Sequence, residues 1–512
     1  MTAFVIDSFK TFPLVSNTLI STFSAGDSTF TGPNVYLRNI AVDKYQNIYV
    51  AGYTANSLSS TTTYIATIFK MNKSGSTVWQ TFMKGNGGVQ FGTGSGTRAE
   101  VILVDSTSTY VYVVGYNNGS VFLLKLDYNS NVIFQNLITN TSAILDEAPT
   151  LSAALDPNDG SIVIAGSDIN GSGFVAKYSS AGSVIFIKNI LQYTTLYGWT
   201  RSDSNSFGGI AVDSNSNIYA VAGTSYSGWS LGYVNPIYKI NSTGTTVINT
   251  CAFYTSSSSN NSITLNGMTI DSGNNIYISG TITHQANTTY SYSQPMVAKI
   301  NNTLNTIIGQ RQVLTPNTFA SSSLSYTRGI IIDKASSNVY YTSLVEEINS
   351  NFIINNKYIL MQYSNTLSST FNISEYSTFY NRTSSNTNIS PSSGGAYVDA
   401  NNNIYTSQSG EFQVGGTNIV SGFVVKQPAS GYKSGSYGPL GTGTYVPYVN
   451  LYSTNIYTDA AGVASIFVAN SSITITTSSN SSLVTSTFSN TFFTFFSGST
   501  NAYVTNVATI FV

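Results

Sequence analysis

Short runs in which apolar and polar positions alternate fill this chain, separated by turns of Ser, Thr, Asn and Gly. A period of two, bounded by turn residues, is the signature of half-buried strands; no segment sustains the 3.6-residue period of an amphipathic helix. One phrase, GGIAVDSNSNIYAVAGTS from Gly208 to Ser225, recurs. Its relatives are NIAVDKYQNIYVAGYT from Asn39, VILVDSTSTYVYVVGYN from Val101 and SAALDPNDGSIVIAGSD from Ser152. Further along stand GMTIDSGNNIYISGTI from Gly267, GIIIDKASSNVYYTSL from Gly329 and GAYVDANNNIYTSQSG from Gly395.

Seven aspartates anchor these copies: Asp43, Asp105, Asp156, Asp213, Asp271, Asp333 and Asp399, 51 to 66 residues apart. A third apolar run follows in each copy, such as TIFKMN at Thr67 or FVAKYS at Phe174, then a Ser/Gly/Asn turn and a fourth. Four antiparallel strands repeated seven times predict an all-β, seven-bladed β-propeller. The seventh copy stops after its third strand, at FVVKQP, while an orphan strand, NTLISTFSA, stands at residues 17–25. The expectation is that 17–25 supplies the outer strand of the last blade and closes the ring, hiding two sheet edges.

The pattern GIAVD-x-x-x-NIYVAGYT … FVAKxN resembles the seven-bladed β-propeller repeat (SBBP-type) family, found in many bacterial and viral surface proteins. The resemblance covers roughly residues 17 to 430 and implies the propeller; it assigns no activity, because that fold hosts many roles. Most copies put Ser or Asn where the family's turn has Gly. The domain expectation is a propeller over 1–433 and a small C-terminal β-sandwich-like domain, for attachment or assembly, over 434–512. In those last 79 residues Asp459 is the one charged side chain.

Composition changes the picture in one respect. Only 8% of residues are charged and the net charge is −1, so electrostatics supports neither nucleic acid nor membrane insertion as a partner. Cys251 is the single cysteine, which excludes an internal disulfide. The N-terminus, MTAFVIDSFKTFPLV, lacks the basic and apolar regions of a signal peptide.

Candidate chemistry is sparse. The seven aspartates lack the alternating D-x-D-x-D-G spacing of a calcium loop and read as Asx-turn acceptors. Lys70, Lys125, Lys177, Lys239, Lys299 and Lys426 hold one repeat position, with Gln362 in the sixth copy, and read as hydrogen-bond donors within or between blades. His284 is the only imidazole, in the polar stretch TITHQANTTYSY, so any Ser–His–Asp triad would need it. The pairs Asp146–Glu147 and Glu346–Glu347 occupy adjacent positions that a strand points to opposite faces. Asp203 and Glu411 are further isolated acids, and the arginines (Arg38, Arg98, Arg201, Arg311, Arg328, Arg382) read as scattered. The glycine-rich GNGGVQFGTGSG, Gly85–Gly96, lacks the Lys-Ser/Thr of a phosphate loop.

These readings predict a non-enzymatic structural and recognition protein with no catalytic, cofactor-binding or metal site and no cofactor. The expected setting is a virion surface or other extracellular assembly, as a capsid-decorating or host-attachment protein. Expected partners are other structural proteins, through the C-terminal domain, and cell-surface carbohydrate or protein. The alternatives are a bacterial surface or filament protein and a glycan-active propeller enzyme.

Overall fold

The computed structural model describes residues 8–11, 34–55, 63–73, 77–85, 95–117, 119–138, 151–167, 173–196, 199–203, 207–222, 226–228, 232–255, 262–285, 291–314, 325–333, 338–348, 353–367, 371–378, 382–383, 393–414 and 417–428. In the C-terminal part it describes 435–437, 449–453, 458–460, 466–470, 476–478, 485–488, 493–497 and 505–508. Among the described residues there is no helix, and the arrangement is all-β and propeller-like. The strands gather into six hydrogen-bonded sheets. The first two repeats share the largest, a ten-stranded sheet, through a short parallel contact of Thr63 with Ser95 and Tyr64 with Gly96. The expectation of seven separate sheets therefore holds only in part.

Within a repeat the order follows the chain. In the first, Asn34–Val42 pairs with Ile48–Ala55, that with Thr63–Met71, and that with Thr77–Gly85, all antiparallel. The core lies between neighbouring repeats. Ile210 and Tyr238 of the fourth, for example, share a cluster with Val163 and Val175 of the third. The last repeat meets the first in the same way. Tyr405 and Val424 pack with Val35, Leu37 and Val50, and the Leu37 N–H donates to Ser409 Oγ at 2.7 Å. Apolar burial between sheets, at roughly 25 cal/mol per Å², is the main force holding such units together.

The N-terminal strand that pairs with the last repeat is Ser8–Thr11, running from Ser8 opposite Lys426 to Thr11 opposite Phe423. The expected donor, residues 17–25, lies outside the described residues.

The C-terminal segment departs further from expectation. Its described strands do not gather into a sandwich; they add an outer strand to the repeats, in reverse order. Val449–Ser453 pairs with the sixth repeat, Thr458–Ala460 with the fifth, Ile466–Asn470 with the fourth and Thr476–Ser478 with the third. Thr485–Phe488 then pairs with the second and Phe493–Ser497 with the first. Thr505–Ala508 pairs with Ser8–Thr11, in the sheet of the seventh. The segment is a belt. Strands of three to five residues are too short to enclose a core of their own. Seven unpaired sheet edges offered them hydrogen-bond partners instead.

Candidate functional site

The repeated aspartates build turns. Asp213 Oδ1 accepts the backbone N–H groups of Asn215 (2.9 Å) and Asn217 (2.8 Å), while Oδ2 accepts Asn217 Nδ2 (2.9 Å) and the Tyr219 hydroxyl (3.2 Å). The same set recurs at Asp43 and Asp399; Asp271 accepts the Asn275 N–H, the Asn275 side-chain amide and the Tyr277 hydroxyl, and Asp105 accepts the backbone N–H groups of Thr109 and Tyr110. The turn needs one residue in the left-handed region, and Gln46, Ser108, Ser216, Asn274 and Asn402 take it at φ 58–65°. Polar side chains tolerate that conformation well enough to stand where the family has glycine. Asp333 is buried as well.

The repeated lysines tie one repeat to the next. Lys70 Nζ donates to the Tyr128 carbonyl at 3.0 Å, Lys125 to Ser180 at 2.7 Å, Lys239 to Asn302 at 3.1 Å and Lys299 to Asn365 at 3.0 Å. Each ammonium also lies over a tyrosine ring of its own repeat: Lys70 over Tyr49, Lys239 over Tyr219, Lys299 over Tyr277 and Lys426 over Tyr405. Lys177 instead pairs with Asp156 Oδ2 at 2.8 Å. In the sixth copy Gln362 Nε2 donates to the Tyr340 hydroxyl. Burial holds Lys70 and Lys125 below the usual lysine range, and it pushes the Tyr112 hydroxyl up to about 12.

Chemistry that does not repeat sits five residues before each Asp. There the inner strand carries a β-bulge in six repeats, with register shifts at Leu37/Asn39, Ala99/Val101, Phe207/Gly209, Leu265/Gly267, Thr327/Gly329 and Ser393/Ala396. A bulge inserts an unpaired residue and re-aims it. The second strand makes room with a glycine: a Cβ on Gly52 would overlap the Tyr36 carbonyl oxygen, and one on Gly115 that of Arg98. This is why the phrase carries Gly in YVAGYT and YVVGYN.

The residues at this position are Arg38, Glu100, Leu151, Gly208, Asn266, Arg328 and Gly394. Five of them, from Arg38 to Asn266, line one cavity of about 260 Å³ that inner strands of all seven repeats surround. Next to the bulge the inner strands converge, and a Cβ on Gly329 would stand 2.7 Å from the Ala396 nitrogen. Asn39 fills the corresponding place in the first repeat and accepts the Ile102 N–H at 3.3 Å.

Arg38 Nε lies 3.4 Å from Glu100 Oε2, and Arg98 Nε 3.9 Å from Oε1. Arg38 also donates to the Tyr53 hydroxyl at 3.0 Å, and both guanidinium groups face the Tyr53 ring. Arg98 further packs against Tyr64 and Tyr116, and Tyr36 stacks on Tyr53 with centroids 4.8 Å apart. Burial works against the Arg38 charge, but Tyr53 and Glu100 outweigh it and hold the guanidinium above its ordinary pKa. Asn266 Oδ1, a buried polar atom bordering the cavity, lacks a hydrogen-bond partner, whereas Arg38 Nε has only its ion pair with Glu100.

Thus the structure gathers Arg38 and Arg98 on one carboxylate, where the sequence reading saw scatter. For Arg38 and Glu100 the signal was present as the shared offset of five from Asp43 and Asp105; Arg98, seven residues before Asp105, carried none. Other expectations fall elsewhere. The Asp146–Glu147 pair and residues 86–94 of the glycine-rich stretch lie outside the described residues. His284, Glu346, Glu347, Asp203 and Glu411 are placed on strands, at register positions opposite Tyr292, Asn356, Asn355, Gln192 and Val420. Among the described residues no three of His, Cys, Asp or Glu group as a metal site would require. Cys251 is a buried free thiol in the core between the fourth and fifth repeats, its pKa pushed up by burial.

Residues 25–58, spanning the first Asp turn, match the family described as "Beta-propeller repeat". The chain carries that repeat. Its propeller-like arrangement of sheets is what the repeat would build. No curated protein matches the chain. Among solved structures it is similar to the Dos1 propeller, at 10% identity over 78% of this chain and 94% of that one, TM-score 0.37. It is also similar to the polysaccharide lyase Uly1, at 10% identity over 84% and 99%, TM-score 0.43. A GH43 glycoside hydrolase aligns at 9% identity over 85% and 100%, TM-score 0.28. Likenesses of this size transfer neither activity nor residue roles. The expectation of a non-enzymatic protein is corrected: two of the similar structures are a polysaccharide lyase and a glycoside hydrolase.

Proposed function

We propose that the seven repeats close as seven blades and that the chain is a recognition propeller whose bulge residues bind a saccharide in the axial cavity. The observation that carries this reading is the variable bulge position. A repeating fold supplies its own stability from repeating contacts, and nothing in it demands Arg, Glu and Asn at one site and Gly at the equivalents. Buried polar atoms are normally satisfied, so Asn266 Oδ1, which no hydrogen-bond donor meets, suits an external partner. A guanidinium, a carboxylate and an amide converge on a cavity of about 260 Å³, a set able both to donate to and accept from hydroxyl groups. The low charge and the belt support a place in an extracellular or virion-surface assembly, with structural proteins as neighbours.

The test is a glycan array followed by calorimetry on the intact chain, its Asn266→Ala variant and its Glu100→Gln variant. The expected result is saccharide binding that weakens about tenfold or more in each variant, the loss of one or two hydrogen bonds; melting is unchanged in Asn266→Ala and lowered in Glu100→Gln, which leaves the Arg38 and Arg98 guanidinium groups without their carboxylate. Release of reducing ends is assayed on any retained glycan, so that turnover is read alongside binding. No retained saccharide, or retention indifferent to both substitutions, refutes the reading.

A further inference from the structure

The belt rests on main-chain pairing. The seven described strands that cover the repeats all run antiparallel to the strand they cover, with registers such as Ser374 opposite Ser453 and Phe253 opposite Val468. Every copy of the chain offers the same rows of N–H and C=O groups. A belt therefore satisfies a neighbour's edges as well as its own, and the exchange exposes no polar group that was paired before.

Two features of the chain favour that exchange. The last repeat's third strand ends at Pro428 and, among the described residues, the next paired segment is Gly435–Tyr437, which joins Val449–Ser453 on the sixth repeat. Only the six residues 429–434 connect them, about 20 Å of chain at full extension. Short connections between paired segments invite swapping between copies. Second, edge strands that avoid pairing with copies of themselves are guarded by charge, above all by lysine. Residues 434–512 contain no lysine and one charged residue, Asp459. The belt is unguarded.

We propose that the belt is a strand-donating segment which this chain exchanges with a second copy of itself, linking copies through their outer sheet edges. The proposal is independent of what the axial cavity binds. When belts open and close, a copy's own belt competes with a neighbour's, so exchange grows with protein concentration and is greatest in a dense assembly.

The chain contains its own reporter. Cys251 is the only cysteine, and its register partner on the belt is Asn470. Directly opposed positions of an antiparallel pair share a face and lie within disulfide reach. The full-length Asn470→Cys variant is purified reduced, equilibrated over a dilution series, oxidised, and resolved without reductant. Exchange predicts disulfide-linked dimers and longer multimers whose share rises about tenfold across a hundredfold rise in concentration. A disulfide confined to single chains at every concentration overturns the proposal. So does the absence of any disulfide in protein whose two thiols both react after unfolding. The Asn470→Cys, Cys251→Ala double variant must lose the linked species; if it keeps them, they arise from contacts between belts and exchange is refuted.

Discussion

Asp213 and Asp127 make the same turn in different surroundings, and replacing each by alanine separates the turn from what is built on it. Asp127 Oδ1 accepts the N–H groups of Asn129 (2.9 Å) and Asn131 (2.8 Å), and Oδ2 accepts Asn131 Nδ2, all in an exposed setting. Water can replace those bonds, so Asp127→Ala should cost about 1 kcal/mol, the usual worth of a capping side chain. Asp213 has the same three partners but is 1% exposed, with the Tyr219 hydroxyl and the Lys239 ammonium (3.9 Å) on Oδ2. Its removal strands buried donors and leaves Lys239 without its carboxylate. Breaking a buried charged pair by deleting one partner costs about 3–5 kcal/mol, and that figure is expected for Asp213→Ala. Urea titration followed by tyrosine fluorescence measures both variants against the parent. A loss below about 1.5 kcal/mol at Asp213, or equal losses at the two sites, would refute the view that the buried turn is the repeat's anchor.

Gly329→Ala should destabilise by about 1–3 kcal/mol, because its Cβ would meet backbone 2.7 Å away on the next inner strand; thermal melting reads the loss. Stability should also depend on pH at both extremes. Burial raises the Asp271 pKa, but hydrogen bonds from Asn275 and Lys299 outweigh it and hold the folded value below the ordinary 3.8, so its stabilisation is present above 3.8 and is lost as pH falls through the folded value. Acid titration of Asp271→Asn should show a shallower loss. Lys70 and Lys125, lowered by burial, bind fewer protons folded than unfolded just below 10.5, so stability should rise with pH there; Lys70→Met should flatten that rise.

The repeat could be read from the chain because its signals are local. An Asp followed by Asn and a tyrosine six residues on specifies a turn and its hydroxyl partner without reference to the rest of the molecule, as at Asp43, Asn47 and Tyr49. The lysine position was legible as a position but not as a contact, since its acceptor stands in the next repeat, as Tyr128 does for Lys70. Arg38 and Arg98 looked unrelated because they are 60 residues apart in sequence and meet only when two inner strands lie side by side. The belt escaped for a different reason. Alternating polar and apolar residues announce strands but do not say which edge they will pair with, and a lone sandwich and seven separate edges suit the same pattern.

Among the described residues seven belt strands meet seven repeats, and the two numbers must agree. Repeat proteins ordinarily gain or lose units by duplication and deletion, since each unit touches only its neighbours. Here a duplicated unit would expose an edge with no strand to meet it, and a deleted one would leave a strand without an edge. Two segments with unrelated sequences, the repeats taken in chain order and the belt in reverse, therefore keep a tally of each other. A lineage of this protein can change its number of repeats only by two coordinated events, which makes the repeat count itself a heritable constraint.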